Sequence, residues 1–169
     1  MKWYGYNRGQ TQDEDWGCLY RSVQNACCAL GLKVPSVRRL LAEAGRQEGE
    51  WGEPGMFVDF FRRKRGWNLT VEAFVLHSTS CIHLTHRNQY VHLRHLPRGF
   101  WRDTRAAYVV DDGISAYAVV PWRGKLWWID PHVVYPETPV PERFRYSTHM
   151  RHNKQREGWM ILKVKVSHA

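Results

Sequence analysis

Three apolar runs between residues 106 and 129 place the tightest constraint on the fold. They span residues 106–110, 114–121 and 125–129, and each is rich in β-branched and aromatic side chains. The tripeptides Asp111-Asp112-Gly113 and Trp122-Arg123-Gly124 separate them, and both are typical of tight hairpin turns. The pattern therefore predicts three consecutive antiparallel strands.

Outside these three strands, the sequence predicts three helices in the N-terminal part of the chain and two more strands. Between residues 18 and 30, apolar side chains recur three or four residues apart, and Gly31 is expected to end that helix. A second helix should follow Ser36 as its N-cap and run to about residue 43. A third should begin at Pro54 and end at Gly66, with the basic run 62–65 in its last turn. With strands at 69–76 and 158–166, we expect an α+β fold in which N-terminal helices pack on an antiparallel sheet.

Cys18 is the candidate nucleophile, because the first helix should begin there, directly after Gly17. Unpaired backbone N–H groups and the positive end of the helix dipole favour the thiolate form of a cysteine over the thiol at such a position. The alternative interpretation is a small buried apolar residue, which most free cysteines are. A histidine that can act as a base, together with a group that orients that histidine, would favour the interpretation of Cys18 as a nucleophile.

The tripeptide Asp130-Pro131-His132 offers that base and that orienting group. It directly follows the predicted strand 125–129. Residues two apart in extended backbone point to the same side, so Asp130 and His132 can lie together while Pro131 stiffens the link. The alternative interpretation is a turn that simply closes the strand.

Two motifs in this order resemble a known family. The stretch Trp16-Gly17-Cys18-Leu19-Tyr20-Arg21-Ser22, followed late in the chain by Ile129-Asp130-Pro131-His132, resembles the ubiquitin-fold-modifier-specific proteases and, more distantly, the autophagin proteases. Both are papain-like cysteine peptidases. The resemblance implies one papain-like domain over residues 1–169, catalysis by Cys18, His132 and Asp130, and no cofactor or metal.

The resemblance also implies a substrate. It is a ubiquitin-like modifier or its conjugates, cut after the C-terminal glycine in processing, deconjugation or both. The ubiquitin-fold modifier is the expected one, and ubiquitin is a second candidate. Trp16 and Gly17 are expected to line a narrow slot for the glycine tail, whose tight walls would reject larger side chains.

Tyr6 extends the resemblance, since a tyrosine twelve residues before the nucleophile contributes to the oxyanion hole in the family. Its phenol and the backbone N–H of Cys18 are expected to stabilise the oxyanion. The alternative is a half-buried tyrosine that anchors the N-terminus. Two positions depart from the family pattern: Asp15 stands where glycine is usual, and Tyr117 stands where histidine is frequent.

Residues 77–105 do not match the family, and we interpret them as a variable insertion near the substrate face. Their potential metal ligands are Cys81, His83, His86, His92 and His95. A structural zinc site normally repeats paired ligands after a loop, and this irregular spacing does not. We therefore expect no metal here.

The formal net charge of +9 would attract acidic partners, whether nucleic acid, a membrane surface or a protein. The basic residues are scattered, with local density at 62–65 and 151–156, and dispersed charge is more typical of a solvated surface. Two alternatives to a modifier protease stay open. One is a basic, aromatic-rich nucleic-acid-binding domain without catalysis, and the other is a papain-like amidase or acyltransferase with another substrate.

Cysteine spacing and hydropathy suggest where the protein works. The four cysteines show no disulfide framework, so we expect reduced thiols and a cytoplasmic or nuclear location. The sequence has neither an apolar N-terminal signal region nor an apolar run long enough to span a bilayer. We expect a soluble protein without a membrane partner.

Overall fold

The computed structural model describes residues 1–134, 137–149 and 158–167. Within them, eight strands form one sheet in the order β3-β2-β1-β8-β4-β5-β6-β7, and all their pairings are antiparallel. The strands are β1 (Leu69–Leu76), β2 (Cys81–Leu84), β3 (Tyr90–Leu93), β4 (Ala106–Asp111), β5 (Ala116–Trp122), β6 (Lys125–Ile129), β7 (Glu142–Arg143) and β8 (Met160–Val166). The α-helices are α1 (Cys18–Ala29), α2 (Val37–Ala44), α3 (Val58–Arg62) and α4 (Tyr146–His149).

The meander β4–β5–β6 confirms the three strands predicted from the sequence. Its second turn is tight, and Arg123 and Gly124 both adopt positive φ values of 50° and 72°, as a two-residue hairpin turn requires. The first turn is longer than predicted, so β5 begins at Ala116. There the side chain of Asp112 accepts hydrogen bonds from the backbone N–H groups of Ile114 and Ser115, which holds these residues in the turn.

The last strand, β8, lies in the middle of the sheet between β1 and β4. It joins the meander to the strands that follow α3. Its alternating side chains face both sides of the sheet: Leu162 and Val164 belong to the core beneath α1, whereas Ile161 belongs to a second core on the other face. The sheet is therefore covered on both faces, as an α+β architecture allows.

Helix α1 packs on β4 and β5 and is buried from Cys18 through Cys27. It ends as predicted, with Gly31 at a φ of 72° and the N–H of Leu32 bonded to the carbonyl of Cys27. Helix α2 also follows the prediction, because the Ser36 hydroxyl accepts from the N–H of Arg39 at 3.2 Å.

The third predicted helix is shorter than expected. Residues 54–57 form a 3₁₀ turn, α3 ends at Arg62, and most of the basic run lies beyond the helix. Arg62, the last residue of α3, donates to the carbonyls of Val71 and Thr85, and Arg63, the first residue after the helix, pairs with Glu43. The second basic run, residues 151–156, lies outside the described residues.

Residues 81–93 form the hairpin β2–β3 at one edge of the sheet. This edge is opposite to β6 and β7, so the hairpin does not adjoin the strand that leads to His132. His83 stacks on Phe74 and bonds to Glu72, and His86 accepts from a backbone N–H of β1. Within the described ranges, no group of three or more His, Cys, Asp or Glu residues is arranged to hold a metal ion.

None of the helices in the described part of the chain is both long and apolar enough to cross a bilayer. All four cysteines are free thiols.

Candidate active site

Cys18 occupies the first position of α1 and is 1% exposed. Its sulfur accepts a hydrogen bond from the backbone N–H of Ala116, the first residue of β5, at 3.3 Å. The first N–H groups of a helix have no intrahelical acceptor, so the N–H of Cys18 is available to a ligand beside the sulfur. The sulfur of Cys18, the expected nucleophile, thus lies between a helix start and a strand start.

Asp130 and His132 follow β6 and contact each other as the sequence predicts. One carboxylate oxygen of Asp130 accepts from the backbone N–H of His132 at 3.0 Å and also contacts the ring Nδ1. The side chain of Cys18 interacts with the same ring and contributes to its raised pKa. The structure therefore brings together all three residues of the expected triad, from two segments far apart in the chain.

The contact between Asp130 and His132 favours the charged form of both side chains. The hydrogen bond that the Asp130 carboxylate accepts from the ring, followed by the interaction with Cys18, raises the pKa of His132 to about 9. Burial raises the pKa of Asp130, but the hydrogen bonds from His132 outweigh it, and the net effect lowers that pKa below its ordinary value. At neutral pH the pair is a carboxylate and an imidazolium, and a cationic imidazole stabilises a neighbouring sulfur anion.

Tyr6 lies beside His132 and Cys18. Its ring meets His132 edge-on with centroids 5.1 Å apart, and its hydroxyl interacts with the side chain of Cys18. Burial, followed by the neighbouring Cys18, raises the pKa of Tyr6 well above its usual range, so the phenol keeps its proton and can donate it in a hydrogen bond. Its role as an oxyanion donor stays a prediction.

The segment that carries Tyr6 approaches the histidine segment very closely. The N–H of Tyr6 donates to the carbonyl of Pro131 at 3.0 Å. A Cβ on the preceding Gly5 would lie 2.2 Å from Cγ2 of Val133, so a residue with a side chain cannot occupy this position without a shift. The close contact between the two segments depends on glycine here.

A buried ion pair beneath the site was not predicted from the sequence. Asp13 and Arg21 are 0% and 2% exposed, and the carboxylate receives Nε at 2.8 Å and Nη2 at 3.0 Å. Arg21 also donates to the carbonyl of Arg8 and to the side chain of Gln24. Nothing local in the sequence points to this pair, because Arg21 stands opposite the apolar positions 19, 23 and 26 of the helix, where exposure to solvent is expected, and only the folded chain buries it.

Asp13 ties together the segments of Tyr6 and Cys18. Its carboxylate accepts from the N–H of Asn7 at 2.7 Å, and its carbonyl accepts from the N–H of Gly17 at 2.8 Å. A Cβ on Gly17 would lie 1.9 Å from a carboxylate oxygen of Asp13. Gly17 is thus required by the packing of the ion pair, which is a structural reason separate from its expected role in substrate binding.

The remaining predicted positions surround the triad. Trp16 is half-buried and meets Tyr20 edge-on at 5.8 Å, and its contact with a substrate stays a prediction. Asp15, one of the two departures from the family pattern, is exposed in the loop before Cys18. Tyr117, the other departure, lies 5.5 Å from the ring of His132 and stacks on Trp128 at 4.5 Å. His132 is therefore held between two tyrosine rings.

The other cysteines are poorer candidates for a nucleophile. Burial raises the pKa of Cys27 to about 12 and also raises the pKa values of Cys28 and Cys81. A higher thiol pKa means less thiolate at neutral pH, and the thiolate is the nucleophilic form.

The fold is similar to that of a solved protease. The crystal structure of UfSP (ufmylation-specific protease) from C. elegans matches 98% of this chain with a TM-score of 0.57 and 15% sequence identity. The match covers 32% of that chain, so the present sequence spans about a third of its length. No protein-family model and no curated protein matches the sequence. The structural match confirms the α+β fold and supports the resemblance that the two motifs indicate.

Proposed function

We propose that this chain is a cysteine protease of the ubiquitin-fold-modifier-specific family, which cleaves the bond after the C-terminal glycine of a ubiquitin-like modifier. The observation that carries the proposal is the contact of Cys18 with His132, whose ring is in turn held by Asp130. A nucleophile, a base and an orienting carboxylate in this arrangement are what thiol-dependent acyl transfer requires. The similarity of the fold to that of UfSP supports the same substrate class.

Each residue of the site has a proposed role in this reaction. The sulfur of Cys18 attacks the carbonyl carbon of the terminal glycine, and the hydroxyl of Tyr6 and the N–H of Cys18 donate to the resulting oxyanion. The imidazolium of His132 gives its proton to the departing amine, which leaves a thioester on Cys18. Neutral His132 then takes a proton from the water that hydrolyses the thioester, and Asp130 keeps the ring in orientation.

Trp16 and Gly17 are proposed to form the slot for the glycine tail. We expect the ubiquitin-fold modifier to be the substrate, and ubiquitin is the second candidate. Both precursor processing and deconjugation would use the same site, in the cytoplasm or the nucleus.

A nucleic-acid-binding function is not favoured. The basic run 62–65 is partly occupied by contacts within the protein: Arg62 bridges α3 to β1 and the β2–β3 turn, Arg63 pairs with Glu43, and the ammonium of Lys64 lies 3.8 Å from the ring centre of Phe60. These contacts explain why the residues are basic without a phosphate partner.

The test uses modifiers that carry a thiol-reactive group in place of the C-terminal carboxylate. The protein is incubated with reactive forms of the ubiquitin-fold modifier, of ubiquitin and of an autophagy modifier, and adducts are detected by mass. We expect an adduct with the ubiquitin-fold modifier that forms fastest of the three.

Matched variants assign the nucleophile. Cys18→Ala should lose the adduct, whereas Cys27→Ala and Cys28→Ala should keep it. An adduct that persists in Cys18→Ala contradicts the assignment of the nucleophile. A wild-type protein that reacts with none of the modifiers contradicts the proposed substrate class.

A further inference from the structure

A cavity lies on the face of the sheet that α1 does not cover. Its volume is about 510 Å³, within the range of roughly 300–1,000 Å³ that is usual for small-molecule sites. It is bounded by the end of β1, the start of β2, the segment 94–102 and the residues on either side of β7 and β8. Phe100, Phe144 and Trp159 of its wall belong to the second core of the sheet, away from the core that contains Cys18.

The walls of this cavity are aromatic. Trp101 lies 4.8 Å from Phe100 and 5.3 Å from Phe144, measured between ring centroids, and all three rings line the space. Trp159 is 4% exposed and forms another part of the wall. The rings are steeply inclined to one another and form an angled apolar wall against which a planar or alkyl group can pack.

Two hydrogen-bond donors in this wall have no acceptor. The indole Nε1 atoms of Trp101 and Trp159 are buried, and neither has a hydrogen-bond partner in the described part of the protein. Buried donors are almost always paired in native proteins, because an unpaired one loses its hydration without compensation. Because both Nε1 atoms are covered by protein, an occupant of the cavity would contact the indole rings themselves, and the N–H signals would report that contact.

The polar lining carries only positive charge. Arg94 and Arg102 lie at the rim with His77 and His95, and no carboxylate lines the cavity among the described residues. Neither arginine forms an ion pair within the described ranges, and the nearby Asp103 is engaged by Lys165 at 2.7 Å. The two guanidinium groups are therefore available to an anion, for which their fork of N–H donors is well suited.

We propose that this cavity is a binding site for a small amphipathic anion, in which an aromatic or alkyl body is joined to a carboxylate or phosphate. The body packs on the rings of Phe100, Trp101 and Phe144, and the anionic group pairs with Arg94 and Arg102. The site is separate from the proposed protease site, and its occupation requires no reaction at Cys18.

The test titrates the protein with indole-3-propionate and follows backbone and indole N–H signals by NMR. The indole signals of Trp101 and Trp159 are expected to shift in a saturable manner, and the neutral analogue indole-3-propionamide should bind at least about tenfold more weakly because it lacks the charge. The same titration of Cys18→Ala should give the same affinity, which separates this site from the protease site.

Arginine variants locate the anionic group. Arg94→Glu with Arg102→Glu should weaken binding of the carboxylate by at least about tenfold, since a favourable charge contact becomes a repulsive one. Arg98→Glu is the matched control, because Arg98 is an exposed arginine of the same segment outside the cavity lining, and it should bind as the wild type does. Equal affinity for acid and amide, no shift of the two indole signals, or equal losses in all the arginine variants would each overturn the proposal.

Discussion

Replacing Asp13 with asparagine tests how the candidate active site is held in place. The substitution preserves the shape of the side chain but removes the charge that faces Arg21. The amide oxygen can still accept from the N–H of Asn7 and from Nη2 of Arg21, but the amide nitrogen then faces Nε of Arg21, which loses its acceptor. The variant therefore leaves a cation that is 2% exposed without its counter-charge.

The expected cost follows from that burial. Removing one partner of a buried ion pair destabilises a protein by roughly 3–5 kcal/mol. Because the asparagine retains one acceptor contact, we expect the lower end, about 3 kcal/mol. For a domain of this size, about 3 kcal/mol lowers Tm by roughly 6–12 °C. The exposed pair of Arg39 and Glu43 gives the contrast, since Arg39→Gln removes a contact worth only about 0.5 kcal/mol.

Urea unfolding of Asp13→Asn, Arg39→Gln and wild type measures the difference directly. Adduct formation with a reactive modifier is then compared at a temperature where all three are folded. We expect Asp13→Asn to react at least about tenfold more slowly, because the segments of Tyr6 and Gly17 lose a common anchor and small displacements are costly in catalysis. If Asp13→Asn loses no more free energy of unfolding than Arg39→Gln, the ion pair does not hold the site.

Three further substitutions test individual contacts. Asp130→Asn removes the largest contribution to the raised pKa of His132, so that pKa should fall from about 9 toward 6.5 in an NMR titration of the ring. The pKa of His132 lies higher in the folded state than in the unfolded state, so the free energy of unfolding of the wild type should fall as the pH rises from 6.5 through 9. In urea unfolding across that range, the variant should lose less of this free energy than the wild type does. Tyr117→Ala should slow adduct formation while Tyr117→Phe preserves it, since the packing against the imidazole needs the ring and not the hydroxyl; equal rates for the two would show that the packing is unimportant. Gly5→Ala should lower Tm and slow the reaction, because its Cβ would lie 2.2 Å from a side chain of the histidine segment, whereas Gly55→Ala, with nothing within 4 Å of its Cβ, should change neither in a thermal melt or the adduct assay.

The sequence predicts best those elements whose limits are set by local chemistry. Helix α1 ends before a glycine with positive φ, helix α2 begins at the serine that caps it, and β4 to β6 are delimited by turn residues. The central position of β8 could not be predicted, because the partners of a strand depend on contacts far along the chain and not on its own pattern. The hairpin β2–β3 was missed for another reason: β3 is mostly exposed, so its residues carry no alternation of polar and apolar side chains.

The residues of the candidate site likewise include some that the sequence predicts and some that it does not. Cys18, Asp130 and His132 could be found because a short motif surrounds each segment, and the structure then brings them into contact. Asp13 could not, since it stands in an acidic loop where nothing local distinguishes it from Glu14 or Asp15. Its distinction is burial against Arg21, which is a property of the folded chain.

The N-terminal segment explains how the separate parts of the site are held in one geometry. Its residue Tyr4 exchanges two hydrogen bonds with the Asn25 side chain of α1, at 2.7 and 3.0 Å. Two residues later, Tyr6 is bonded to the carbonyl of Pro131, beside the base. One residue further, Asn7 is bonded in both directions to Asp13, at 2.7 and 2.9 Å.

Three parts of the site are thus bonded to the same short stretch of chain. They are the helix that begins with Cys18, the end of the strand that leads to His132, and the loop that precedes Cys18. Because these bonds are made by neighbouring residues, a displacement of one anchor is transmitted to the positions of the other two. Catalytic groups must be held within a fraction of an ångström of the reactive geometry, and such shared anchoring provides that restraint without a larger scaffold. We infer that the N-terminal segment contributes the oxyanion donor Tyr6 and also sets the distance between the nucleophile and its base.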